Sequence, residues 1–423
     1  MSPYPRRVTS APTSRTRQRL RVHTGRAARA DLLAELPHPQ HALAWVRDGS
    51  GLVGWGEAAR LEVSGPNRFA EADSWWREFT AGLEVDDDLG VPGSGPVAFV
   101  SMAFADDPGH SVLVVPEVVR GRRNGHDWIT TVGRDHVETQ ITPVRRPSTM
   151  RYADGQLSVT GFREAVKEAV ARMRHGDLDK VVLAHDLLAT ADVVIDHRYV
   201  LDSLARRYPE CWVYSVDGLL GATPELLLRR TGAVVDSRVL AGTTWPHDGM
   251  SDEELAAALL SSKKNREEHE YAIASLAQTL RPFCTTMSVE GPSVLRLPNV
   301  SHLSSDVIGT LKGNPSGSGE PSLLRLVAAL HPTAAVGGTP RAAAITMIDE
   351  LEGMDRGRYA GPVGWIDGNG DGELGIALRC AQVDGSTARL FAGCGLVAES
   401  DPDSEVREAH AKMRPMREAL ESM

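Results

Sequence analysis

Phe391-Ala392-Gly393-Cys394-Gly395 runs through a short polar stretch into Asp401-Pro402-Asp403-Ser404-Glu405-Val406-Arg407-Glu408-Ala409-His410-Ala411-Lys412. The small residues predict a turn, and the run after it predicts a helix. Asp401 can cap, Pro402 suits the first helical position, and Asp403 favours the positive end of the helix dipole. Spacings of three and four residues put Glu405, Glu408 and Lys412 on one stripe. Two carboxylates suit a hard cation such as Mg²⁺, while the amides of Gly393 and Gly395, together with Lys412, suit a substrate carboxylate. A plain solvated helix with an i,i+4 ion pair remains the alternative at this point.

Working outward, the next candidate is Lys180, at the mouth of the apolar run Val181-Val182-Leu183. Such a run reads as a strand buried on both faces, and desolvation there lowers a lysine pKa toward that of a general base. A solvated strand-end lysine is the other reading. Glu225 follows Pro224 and precedes an apolar strand, where a buried carboxyl keeps its proton and serves as a general acid; a charged strand edge would look the same. Arg379 falls in the alternating run Leu374 to Val383, which predicts one strand with Arg379 on the face of Ala377 and Ala381. Its guanidinium is then either a carboxylate clamp or a structural ion pair. His302 could donate a hydrogen bond or be a satisfied core histidine.

Two motifs are decoys. His269-Glu270 lacks a second histidine in register, which excludes a zinc-protease HExxH. Asp367-Gly368-Asn369-Gly370-Asp371-Gly372 matches the first half of an EF-hand loop, but the twelfth position is Leu378, so a glycine-rich hairpin is expected.

The remaining sequence sets the frame. Its 423 residues, 42% hydrophobic and 24% charged, describe a globular chain with material for a large core. A net charge of −10 argues against nucleic acid as partner. The four scattered cysteines indicate neither a disulfide framework nor a zinc site and fit a reducing cytoplasm. No apolar run is long enough to span a membrane. Residues 1–30 carry eight arginines and no acid, and read as a partly disordered leader whose end, Arg19 to Val22, could begin a first strand. Strands with no catalytic constellation are expected over 31–150, a polar connection over 143–160, and mixed helices and strands over 160–423. Asp252 to Leu280 reads as one long amphipathic helix ended by Pro282.

Five motifs in order, Lys180-Val181-Val182-Leu183, Thr223-Pro224-Glu225-Leu226, Leu240-Ala241-Gly242-Thr243, His331-Pro332-Thr333 with Gly338-Thr339-Pro340, and Phe391-Ala392-Gly393-Cys394-Gly395, resemble the chorismate-utilising enzymes over residues 160–423. The part before them resembles the menaquinone-type isochorismate synthases of actinobacteria. The resemblance implies an α/β protein, one large domain over 31–423 with two stacked, mostly antiparallel sheets flanked by helices. It implies a cytoplasmic, monomeric, Mg²⁺-dependent isomerase that converts chorismate to isochorismate, for menaquinone or a siderophore. Lys180 would activate water for attack at C2, and Glu225 would protonate the departing C4 hydroxyl. Glu268, Glu405 and Glu408 would surround Mg²⁺. Arg379, Tyr359, the amides of Gly393 and Gly395, and Lys412 would hold the substrate carboxylates, with His302 near the ring. Asn265 departs from the Asp or Glu usual there. Ala241 replaces the nucleophilic lysine of aminodeoxychorismate synthases. Ala335 matches isochorismate synthases rather than the threonine of salicylate synthases, the alternative activity. A non-catalytic chorismate-binding relative is the third reading.

Overall fold

Runs of Val, Leu, Ile and Trp bounded by Gly and Asp turns become strands, because branched and aromatic side chains pack well on a pleated surface. The structure, a computed structural model, describes residues 19–133, 140–147, 149–244, 250–298, 300–313 and 320–421, apart from the side chains of Lys264 and Glu268. The strands assemble into one 13-stranded and one 9-stranded sheet. Pairing is antiparallel almost throughout; Arg21–Arg26 with Glu84–Asp87 is parallel. The two sheets close face to face over a shared apolar core containing Trp45 and Leu52 from one and Phe99, Val363 and Trp365 from the other. The Trp45 indole reaches across the core and donates to Glu373 Oε2 at 2.8 Å, which satisfies its polar edge. A second core lies on the outer face of the larger sheet, under the helices His197–Arg207 and Pro402–Glu421.

The N-terminal half is threaded into both sheets. Leu43–Arg47 pairs with Trp212–Val216, and Val97–Ser101 pairs with Pro362–Asp367. Residues 1–18 of the expected leader lie outside the described residues, whereas Arg21–Arg26, inside the stretch read as leader, is an ordered strand.

Three local expectations change. Residues 391–395 belong to the strand Thr387–Leu396 instead of a turn; the reversal comes after it, where Ser400 Oγ accepts from the Val397 amide at 3.1 Å. The helix expected over 252–280 is two helices, Asp252–Ser261 and Lys263–Leu280, because Ser262 turns extended and caps the second by accepting from the Asn265 amide at 3.3 Å. The strand expected over 374–383 is two, Gly372–Ile376 in the smaller sheet and Cys380–Asp384 in the larger. Between them Arg379 takes a left-handed φ of 50°, so alternation could not place its side chain. The hairpin reading of 367–372 agrees with the structure: buried Asp367 accepts from the amides of Asn369 and Asp371 and closes the turn between two strands.

Candidate active site

The break at residues 377–379 creates the site. Cys380–Asp384 pairs with Thr387–Leu396 only as far as Leu390, so Phe391 to Leu396 has Lys180–Ala191 on one side and, among the described residues, no strand on the other. That open edge forms one wall of a pocket of about 280 Å³, which also lies against the ends of strands from both sheets and the helices Lys263–Leu280 and Pro402–Glu421. Lys180, Glu225, His302, Ala335, Tyr359, Arg379, Gly393, Gly395, Glu405, Glu408 and Lys412 all line it. Glu268, expected among them, has its side chain outside the described residues.

Lys180 starts its strand, and the register sets Val182 opposite Gly395. A Cβ on Gly395 would sit 3.2 Å from Lys180 Cε, so the glycine gives the lysine stem its path. A Cβ on Gly393 would sit 3.0 Å from the Tyr359 hydroxyl oxygen. Tyr359 stacks on Phe391 with ring centroids 5.1 Å apart, which fixes the ring beside the open edge. Lys412 donates to the Gly393 carbonyl at 3.0 Å and to Glu408 at 2.6 Å. Burial opposes its charge, but Glu408 outweighs burial and raises its pKa.

Glu225 is buried, and desolvation pushes its carboxyl up to about 7, although the cations of Lys180, Lys412 and Arg379 pull the other way. It therefore holds a proton near neutrality. Burial, with Arg379 and Lys412 adding to it, lowers His302 to about 3, so its imidazole is neutral; Nδ1 lies 3.1 Å from Thr243 Oγ1. Arg379 is 8% exposed, and its Nη1 is buried without a hydrogen-bond partner among the described residues. A guanidinium left in this way within a pocket has a donor that an anionic group could satisfy.

Glu405, Glu408 and Cys394 offer ligand atoms within 4.8 Å of one another. Burial first, and then Glu408, pushes Glu405 up to about 7. Two crowded carboxylates, one protonated for want of countercharge, suit a hard divalent cation. The Cys394 thiol donates to the Glu405 carbonyl at 3.2 Å and brings soft sulfur, which such an ion disfavours. Asn265 also lines the pocket, with Nδ2 donating to Ser262 Oγ at 3.0 Å.

The sequence reading missed the pair that braces this floor. Glu352 and Arg356 form a buried ion pair; Arg356 donates to the carbonyls of Val182 and Val336, and Glu352 accepts from the Ala184 amide at 2.7 Å. Their i,i+4 spacing at a helix end was the available signal. Thr243, which touches His302, carried none.

A family description, chorismate binding enzyme, matches residues 109–421, which is 313 of 423 residues. The chain belongs to the chorismate-binding enzymes. Among relatives of this chorismate-binding enzyme, the isochorismate synthase DhbC of Bacillus subtilis is 37% identical over 329 residues, covering 73% of this chain and 77% of its own length. The salicylate biosynthesis isochorismate synthase of Pseudomonas aeruginosa is 33% identical over 413 residues, covering 90% and 85%. Among solved structures, the menaquinone-specific isochorismate synthase MenF of Escherichia coli superposes with a TM-score of 0.77 at 24% identity, covering 95% of this chain and 94% of that one; it supports the fold. No described helix of this chorismate-binding enzyme is long and apolar enough to cross a membrane.

Proposed function

We propose that this chorismate-binding enzyme is an isochorismate synthase. The observation that carries the reading is the meeting of Lys180, a buried Glu225 whose carboxyl is pushed up to about 7, and Arg379, whose Nη1 has no partner among the described residues, in one pocket. Chorismate is a dianion. Arg379 and Lys412 supply cationic donors for its carboxylates, with the open edge at Gly393 and Gly395 beside them. Lys180 takes a proton from water as the oxygen bonds to C2; the ring double bonds shift, and Glu225 gives its proton to the C4 oxygen, which leaves as water. One water enters and one departs, so the product is an isomer and no redox step occurs. Neutral His302 lies beside the ring as a hydrogen-bonding group that adds no charge.

Glu405 and Glu408 would hold Mg²⁺, with Glu268 as the third carboxylate that the resemblance implies. When bound, the ion supplies positive charge to the ring carboxylate and the leaving region. Menaquinone and siderophore formation both draw on this product, and relatives of both kinds support either pathway.

The deciding experiment is product analysis by chromatography and mass spectrometry after incubating the protein with chorismate, with and without Mg²⁺. Isochorismate formed only with Mg²⁺ is expected. Salicylate with pyruvate would overturn the reading of Ala335, and unchanged chorismate would indicate a binding protein.

A further inference from the structure

Glu225 lines two cavities. One is the substrate pocket, and the other, of about 150 Å³, lies between the helix Lys263–Leu280, the strand Val234–Thr244 and the loop that carries Thr333. Tyr271 and Arg341, both exposed, also line this second cavity, which therefore reaches the surface. Hydroxyls of Ser237, Ser275, Thr279 and Thr333 are set among its leucines. Ser237 donates to the Leu226 carbonyl and Thr279 to the Ser275 carbonyl, whereas the Thr333 hydroxyl oxygen is buried with no partner among the described residues. A space of this size, lined by hydroxyls, a carboxyl and guanidinium groups among apolar side chains, has room for several waters, and a buried hydroxyl facing one is satisfied by water.

The proposed reaction, on which this inference rests, creates a use for such a path. Each forward turnover leaves Glu225 without its proton and Lys180 with one more. The free enzyme is then set for the reverse reaction, and the protons must be redistributed before the next chorismate reacts. Lys180, at its strand end, is only half-buried and can return its proton to solvent through the pocket mouth. Glu225 is buried and lines both the substrate pocket and the second cavity.

We propose that the second cavity is a water-filled proton path that reloads Glu225 from solvent, with Thr333 and Ser275 as positioning residues for its waters. Reloading follows product formation, so it limits kcat and leaves kcat/KM, which reports the already loaded enzyme, untouched. Thr333→Val and Ser275→Ala are therefore expected to lower kcat for chorismate by about five- to tenfold while kcat/KM stays within about twofold. Added imidazole buffer, a small proton carrier, should restore kcat in proportion to its concentration. Equal losses in kcat and kcat/KM, or no loss in either variant, would overturn the path. If Thr333→Val fails to fold, Ser275→Ala decides alone. Failure of the wild-type protein to make isochorismate would sink the functional assignment and this path with it; a wild-type protein that turns over beside indifferent variants removes the path only.

Discussion

The Lys412 ammonium lies 2.6 Å from Glu408 Oε1, one helical turn away, and the same ammonium donates to the Gly393 carbonyl on the open strand edge. Glu408 is thereby paired, while burial and Glu408 push its neighbour Glu405 up to about 7. A cation entering this pair must displace the Glu405 proton below that pH. Mg²⁺ affinity should therefore be about tenfold weaker at pH 6 than at pH 8. Calorimetry at pH 6 in two buffers of different ionisation enthalpy should show close to one proton released per ion. A pH-independent affinity would remove Glu405 from the site.

Lys180→Ala and Glu225→Gln should each lower kcat by at least about 10²-fold, because acid and base groups act mainly in the transition state. Both variants should remain folded and bind Mg²⁺ by calorimetry. Near-normal turnover in either would overturn its assigned role.

Burial raises Glu225 from 4.5 to about 7, so the folded protein binds this proton more tightly than the unfolded chain does. Its contribution to stability is complete below pH 4.5, declines as pH rises toward 7, and is absent above it. At about 1.4 kcal/mol per pH unit, the loss across that window is on the order of 3 kcal/mol. Urea titrations of the Mg²⁺-free protein at pH 5 and pH 8, compared with Glu225→Gln, isolate this term, and the variant should lose less stability over the same interval. The forward rate should fall above pH 7 as the acid form disappears; a rate that rises there would contradict the acid role.

Glu352 and Arg356 are almost fully buried, and Arg356 ties the Lys180 strand to the loop at Val336. Removing one partner leaves the other charge uncompensated in the interior, so Glu352→Gln should destabilise the fold by about 3–5 kcal/mol. The Tm in thermal unfolding measures this directly. A loss below about 1 kcal/mol would mean that water reaches the freed guanidinium.

The residues that line the pocket were legible because their types are unusual for their surroundings: a lysine at the mouth of an apolar run, a glutamate before a buried strand, and two acids and a lysine on one helical stripe. The edge that gathers them was not. A period-two pattern across 374–383 predicts a continuous strand, since alternation is the same whether a strand continues or passes to a second sheet. Only the left-handed turn at Arg379 separates those cases, and arginine gives no local signal for it. The small residues at 391–395 likewise read as a turn because a strand edge crowded by Lys180 and Tyr359 requires the same absence of side chain. Ser262 was hidden by helical periodicity continuing on both sides of it.

Arg379 provides the sharpest separation of binding from folding. Desolvation lowers its pKa, and its Nη1 has no partner among the described residues, so burying it carries a cost that an anion bound there would relieve. Arg379→Gln should then raise KM for chorismate by about tenfold or more, the loss of a charge-assisted contact, while leaving the unliganded protein as stable as before or up to about 1 kcal/mol more stable. Arg379→Lys should recover part of the affinity, because it keeps the charge and loses the planar fork. Parallel measurement of KM and Tm distinguishes the possibilities: if Arg379→Gln unfolds the protein while Arg379→Lys restores it, the guanidinium is a structural ion-pair member and the anion site lies elsewhere in the pocket.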